Sequence, residues 1–424
     1  MDTGNTAFVL AAAGLVLFMT PGLAFFYGGM VRSKNVLGML MQNFFAMGLV
    51  SVLWVLFVFS LAFGKDAGGG FVGGLGFAGL KGLGNVNLAL PGYSGAAALS
   101  IPPLAFVAFQ LMFAVITPAL ITGAIADRMR FAAYAVFIGL WVVLVYAPVA
   151  HWVFSPTGWL FKRGALDFAG GTVVHINAGI AALALVIVIG KRRGWPSEVM
   201  PPHSLPLTLL GTGILWFGWF GFNAGSSLKA DGVAAQALIN THMAAAAAML
   251  GWLIVERVKD GHATTLGAAS GAVAGLVAIT PCAGYVGALP AVAIGGVTGA
   301  ACFLAIQLKF RFGYDDALDV VGVHLAGGIV GSLLLGLFAS KAINSAGADG
   351  LFFGGGLDLF GKQLLAVGAT LVWSFVISFI LAKVIDATIG LRVPPDDEAQ
   401  GLDLTQHAET GYAYGDLGMG RIGS

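Results

Sequence analysis

Charge is what this sequence has least of. Only 10% of its 424 residues are Asp, Glu, Lys or Arg, against 58% apolar, where a soluble domain carries about 25% charged residues. So few polar groups could not cover a globular surface in water, and lipid is the solvent the chain suits. A net charge of +1 and the lack of any basic tract exclude nucleic acid as a partner. Cysteine is equally scarce. Cys282 and Cys302 each sit in an apolar run beside Gly or Ala, which marks packing thiols rather than a disulfide or a metal site. No metal and no cofactor are expected. The N-terminus, MDTGNTAFVLAAAGLVLFMTPG, has no basic leader, and its apolar stretch continues to Arg32. That is too long for a signal-peptide core, so it reads as a retained first span.

Long apolar runs are abundant. Stretches of about 20 such residues mark spanning helices, and eleven are expected, near 6–30, 36–63, 100–126, 131–153, 169–190, 205–226, 232–255, 263–282, 288–308, 318–339 and 362–385. The fold class is therefore all-α integral membrane. Residues 1–390 form the membrane domain and 391–424 a polar tail. Basic residues alternate between the loops. Arg32, Lys34, Arg128, Arg130, Lys191, Arg192, Arg193, Arg257, Lys259, Lys309, Arg311, Lys383, Arg392 and Arg421 fall on one side, fourteen of the 21. The richer side is cytoplasmic, which puts the N-terminus outside and the tail inside. The Gly-rich segment 65–99 reads as a flexible external loop. The tail, with Asp396, Asp397, Glu398, Asp403, Glu409 and Asp416, is expected to be disordered or docked on the inner face.

An internal match links spans five and ten. Val174-His175-Ile176-Asn177-Ala178-Gly179-Ile180 and Val323-His324-Leu325-Ala326-Gly327-Gly328-Ile329 agree at −1, +4 and +5 from the histidine. Five spans per half invert the second half, so His175 and His324 would meet near the midplane of a five-plus-five repeat followed by a final helix. An ionisable side chain in a span is costly and faces a cavity or a partner. Imidazole costs less than Lys or Asp because it can sit neutral, one nitrogen donating and the other accepting. One such histidine would be read as a satisfied core residue. Two at equivalent positions point to a path for a small polar solute or a proton. Asp167, eight residues before His175, is expected to cap a helix start, and an anion there would also draw cations. Asp319, five before His324, is read as its rough counterpart, again a cap.

The segments FYGGMVRSKN at 26–35, DFAGGTVVHINAG at 167–179, WFGFNAGS at 219–226, TPCAGYVG at 280–287, DVVGVHLAGGIVG at 319–331 and GLDLTQHAETGYAY at 401–414 resemble the ammonium transporter family (Amt/Mep/Rh), in its bacterial Amt branch. The resemblance implies a homotrimer in the plasma (inner) membrane with one pore per subunit. It implies uptake of ammonium or ammonia, no enzymatic activity, and a cytosolic PII-type signal protein as a partner at the inner face. It assigns the twin pore histidines to His175 and His324, and a phenylalanine gate to Phe113 and Phe222 with Trp219 beside it. External recruitment falls to Phe113, Ser226, Phe154 and Asp167. NH4+ would be captured outside, lose its proton near the gate, and pass as ammonia along the histidines. One position departs from the family: in Ala150-His151-Trp152-Val153-Phe154 a Phe stands where a vestibule Trp is usual. Trp is the stronger cation–π partner, so recruitment is expected to be weaker unless Trp152 or Trp159 compensates. The alternatives are an ammonium sensor signalling through the tail and a channel for another small neutral solute such as CO2.

Overall fold

The computed structural model describes residues 1–95 and 98–412, so Asp416 and Arg421 of the tail lie outside it. Seven helical stretches long and apolar enough to cross a membrane come first: α1 (Thr3–Met30), α2 (Ser33–Phe63), α3 (Pro103–Ile125), α4 (Phe131–Lys162), α5 (Gly171–Ile189), α6 (Leu205–Gly225) and α7 (Gly232–Asp260). The segment expected to span at 263–282 forms a shorter apolar helix, α8 (Thr265–Ile279). The Thr264 hydroxyl caps its start by accepting the Gly267 N–H at 2.8 Å, and Pro281 follows closely enough to stop it. Three further crossing-length helices follow, α9 (Ala288–Phe312), α10 (Val321–Phe338) and α11 (Asp358–Thr388). Ten helices among the described residues thus meet the length that lipid demands.

Side-chain hydrogen bonds define the helix starts. The Ser204 hydroxyl accepts from Leu207 N–H ahead of α6, and the Asp231 carboxylate from Ala234 N–H ahead of α7. The helices α3 and α5 are buried along most of their length, whereas α2, α7 and α11 turn residues such as Leu56, Leu250 and Val372 outward. Outward-facing apolar side chains are what a lipid solvent requires of the rim.

The Gly-rich segment after α2 is not loose. Trp152 Nε1 donates to the Phe71 carbonyl at 2.8 Å, and the Ser60 hydroxyl to the Gly74 carbonyl at 2.6 Å. Gly70, at φ +89°, lies so close to Trp159 that a Cβ would sit 2.7 Å from its backbone nitrogen. Glycine there permits tight docking rather than freedom.

At the opposite end, polar residues from distant parts of the chain interlock. Arg192 makes paired bonds to Asp315 (Nε and NH2, both 2.9 Å) and lies 3.6 Å from Asp127, which also receives Arg32 at 3.0 Å. Buried Arg128 donates to the carbonyls of Gly190 (2.9 Å) and Asp315 (2.6 Å). The tail docks onto this layer through α12 (Pro395–Gln400) and α13 (Leu402–His407). Glu398 accepts from Arg193 N–H at 2.7 Å and from Arg392 at 2.6 Å. Asp403 accepts the Leu37 and Gly38 N–H groups at the start of α2, at 3.0 and 2.8 Å. Of the two tail states that the sequence allowed, docking is the one found through residue 412.

Burial alone would raise the Asp315 carboxyl, but bonds and charge from Arg192, with Arg128 beside it, hold it below its ordinary range. A carboxyl held low in the folded state adds stability above its unfolded pKa, and that stability is lost as pH falls through the folded value. Asp315→Asn removes the paired charge-assisted bonds of Arg192, leaving it only Asp127 at 3.6 Å, and is expected to cost about 2 kcal/mol at neutral pH. Thermal unfolding in detergent should show this deficit shrinking at strongly acidic pH, where the native carboxyl protonates.

Candidate functional site

The two histidines sit on matching local structures. Each lies in a π-helical turn, Gly171–Ile176 and Val321–Leu325, followed by a 13-residue α-helix. Such turns widen the helix and are frequent at functional positions. A carboxylate holds the start of each. Asp167 accepts the N–H groups of Gly170, Gly171 and Thr172 at 2.7 to 2.8 Å. At the second site the capping residue is Asp316, accepting Val320 and Val321 N–H at 3.1 and 2.7 Å. The expected cap Asp319 instead pairs with Lys309 at 2.5 Å. Asp316 precedes His324 by the same eight residues that separate Asp167 from His175; exact spacing was the signal that would have found it. Burial pushes both carboxyls above their ordinary range, with Asp319 adding to the effect at Asp316.

Helices α5 and α10 cross without intervening side chains. A Cβ on Gly179 would lie 2.5 Å from the Leu325 backbone nitrogen, and one on Gly328 2.9 Å from the Ile176 side chain. This contact brings the His175 and His324 Nδ1 atoms to 3.3 Å, with rings 18° apart. A bond between two Nδ1 atoms requires one to carry hydrogen and the other to be bare. The Tyr27 hydroxyl lies 3.2 Å from the Leu120 carbonyl and 3.5 Å from His324 Nε2. His175 Nε2 has no hydrogen-bond partner among the described residues. Around the pair runs a narrow apolar lumen of about 10 Å³, lined among others by Leu23, Leu120, Val174, Trp219 and Phe222. Trp219 stacks on His175 at 5.5 Å and donates Nε1 to the Thr280 hydroxyl at 2.9 Å.

Phe222 closes one end of this lumen. Its ring lies 4.3 Å from that of Phe113, and Phe113 in turn lines a separate cavity of about 170 Å³. Phe154, Asp167 and Ser226 line the same cavity, with Phe113 and Phe154 edge-to-face at 6.5 Å. The Ser226 hydroxyl donates to the Phe222 carbonyl at 2.9 Å, which leaves its oxygen lone pairs to accept. Every residue expected at the recruitment site and gate is therefore brought into one file, with the histidines below. Two polar wall residues were missed, Tyr93 and Gln110. Tyr93 donates to the Phe154 carbonyl at 3.1 Å, and a lone amide in the apolar run of α3 was a legible signal for Gln110. Trp152 and Trp159 do not line the cavity. They pack with Phe71, and Trp152 also meets Trp373 at 5.5 Å, so neither stands in for the Trp absent at 154. A third cavity, about 360 Å³, opens at the end that carries Arg32, Asp127, Arg192 and Lys309.

A cavity lined by Tyr93, Gln110, Asp167 and Ser226, two phenylalanine rings in contact and a narrow apolar cavity ending on paired imidazoles thus lie in series. The sequence matches the model of the Ammonium Transporter Family over residues 7–412. The chain belongs to that family. It is 54% identical to an ammonium transporter of Mycobacterium tuberculosis (strain ATCC 25618 / H37Rv), over 97% of this chain and 91% of the relative. To an ammonium transporter of Bacillus subtilis (strain 168) it is 51% identical, over 97% and 99%. Among solved structures, Saccharomyces cerevisiae Mep2 superposes with a TM-score of 0.86 at 35% identity, over 97% of this chain and 93% of that one. A protein described as a sensor Amt protein gives 0.85 at 30% identity, over 95% and 98%. The chain is a multi-pass membrane protein of this family.

Because the α5–α10 crossing sets the imidazole contact, Gly179→Val is expected to cost roughly 1–3 kcal/mol through the Leu325 clash. Gly296→Val, on α9 with nothing within 4 Å, is the control and should melt like the native protein. Equal melting temperatures for the two variants would contradict the close packing at Gly179.

Proposed function

We propose that this protein conducts ammonia derived from external ammonium across the plasma (inner) membrane. The observation that carries the reading is the 4.3 Å contact between Phe113 and Phe222, set between a polar vestibule and a dry lumen. A hydrated cation is excluded from such a lumen because desolvation there is costly. In the vestibule, the faces of Phe113 and Phe154 replace part of the hydration shell of NH4+, the Ser226 oxygen accepts one N–H, and Asp167 biases cations toward the mouth. The ion gives up its proton at the gate to vestibule water, which returns it to the external side, and neutral ammonia enters as the rings part. His175 Nε2, which no described residue engages, takes an N–H of ammonia, and Trp219 confines it against the ring. The imidazole pair then passes it toward the inner cavity.

The rest of the reading follows the family. Counting α8 with the ten longer helices gives eleven spans, as an inverted five-plus-five repeat and a final helix, N-terminus outside. Three copies assemble, each with its own pore. Residues 1–390 are the transport unit, and 391–424 form a cytoplasmic tail on the face where a PII-type protein would dock. Similarity to a sensor Amt protein favours a second reading, in which ammonium binding is signalled through that tail.

Methylammonium uptake by proteoliposomes tests the proposal. His175→Ala, which removes the acceptor, is expected to lower uptake at least tenfold, while a variant with native uptake would refute conduction along the pair. Absence of uptake by the native protein, together with saturable ammonium binding, would favour the sensor. Phe154→Trp strengthens the cation–π wall by about 1 kcal/mol and is expected to lower the KM about fivefold at unchanged maximal rate.

A further inference from the structure

The Gly-rich segment after α2 is held down beside a histidine that the transport path does not use. His151 is fully buried in α4. Its Nδ1 lies 2.8 Å from the Ala62 carbonyl, one of the last four carbonyls of α2, for which the helix itself supplies no donor. A carbonyl oxygen only accepts, so Nδ1 carries the hydrogen. Neutral His151 therefore has a bare Nε2, and that nitrogen has no hydrogen-bond partner among the described residues. What it faces, 3.5 Å away, is the carboxylate of Asp66.

Two acceptors in contact repel, and one proton turns the contact into a charge-assisted bond. Asp66 is placed to stay ionised. It accepts the Gly70 and Gly68 N–H groups at 2.7 and 3.3 Å. Burial alone would raise its carboxyl, but those bonds, with His151 and Lys162 nearby, hold it below its ordinary range. The imidazole is then the group that changes charge between about pH 5 and 8. Asp66 and Lys162 are the charged groups that act on it. Two other elements pack on this stretch of α4. The end of α2, Phe59–Phe63, has no ionisable side chain, and the start of α5 has His175, which is turned to His324.

We propose that His151 and Asp66 form a proton-operated latch. Protonated His151 donates from Nε2 to Asp66 and clamps residues 66–74 onto α4, whereas with the ring neutral the facing acceptors push that segment away. The rest of the segment depends on where Asp66 sits. Gly73 N–H reaches the Leu61 carbonyl and Gly74 N–H the Lys65 carbonyl, both at 2.7 Å, and Phe71 stacks on Trp159 at 5.7 Å. Phe154, in the wall of the vestibule, follows His151 by three residues, less than one helical turn. In the orientation proposed above the signal is external acid, and its effect on ammonium capture rests on the reading of that cavity as the recruitment site.

Hydrogen-exchange mass spectrometry on the full-length protein in nanodiscs, where both faces meet one pH, reads the latch whatever the orientation. After correction for the intrinsic pH dependence of exchange, the amides of residues 68–74 are expected to be about tenfold more protected near pH 5.5 than near pH 8. In Asp66→Asn the amide can turn its NH2 to the neutral ring or its oxygen to the charged one, so the difference should vanish. His151→Gln, which offers a donor at both pH values, should hold the segment equally at both. Equal protection of the native segment at the two pH values, or a difference that survives in Asp66→Asn, overturns the latch. Methylammonium stays a cation across this range, so the KM for its uptake reports the protein. It is expected to be about threefold lower at the acid pH in the native protein and independent of pH in Asp66→Asn. A segment that latches while KM stays constant supports the latch and overturns its link to recruitment.

Discussion

One hydrogen bond between two imidazole nitrogens constrains the centre of this protein. An Nδ1-to-Nδ1 contact has a direction, because one ring must give and the other receive. Tyr27 reaches the pair from outside, its hydroxyl within reach of both the Leu120 carbonyl and His324 Nε2. The apolar lumen therefore meets one ring nitrogen, His175 Nε2, that no described residue engages. Two paired neutral rings also remove the need for a counter-ion, which a lumen of this size has no room to hold.

The scaffold serves that geometry. π-helical turns displace both histidines from regular helical positions, and carboxylates at a fixed offset hold the starts of those turns. Gly179 lets α5 approach the α10 backbone at Leu325, and Gly328 leaves room for the Ile176 side chain. Small residues at crossings are how membrane helices pack when apolar surface gains little by leaving lipid. Beside the pair, Phe113 and Phe222 come from different helices, so their contact depends on how α3 and α6 each pack against α1.

Much of this was legible in the sequence because lipid enforces simple rules. Apolar runs located the helices, and the short match around His175 and His324 found the pair that the structure places in contact. Exact spacing would also have named Asp316, where a nearer acid, Asp319, drew attention and is in fact committed to Lys309. The phenylalanines were not legible from pattern. One among 31 carries no mark of facing a pore, and only family resemblance singled out Phe113 and Phe222. Long-range docking was hidden as well. Gly-rich composition at 65–99 reads as freedom, yet here glycine is what lets that segment lie against Trp159.

The clasp of Arg192 on Asp315 also sets a timetable for assembly. Arg192, just past the end of α5, finds its paired carboxylate on Asp315, 123 positions further along the chain, and the backbone N–H of Arg193 is met by Glu398 later still. As the ribosome feeds the chain into the bilayer, the first five helices arrive before either of these two carboxylates has been made. The inner layer cannot lock until the last helix has threaded. A polypeptide cut short before residue 398 would lack the carboxylate that pairs with Arg392 and accepts the Arg193 backbone N–H, and would display that bare arginine to the quality-control machinery of the membrane.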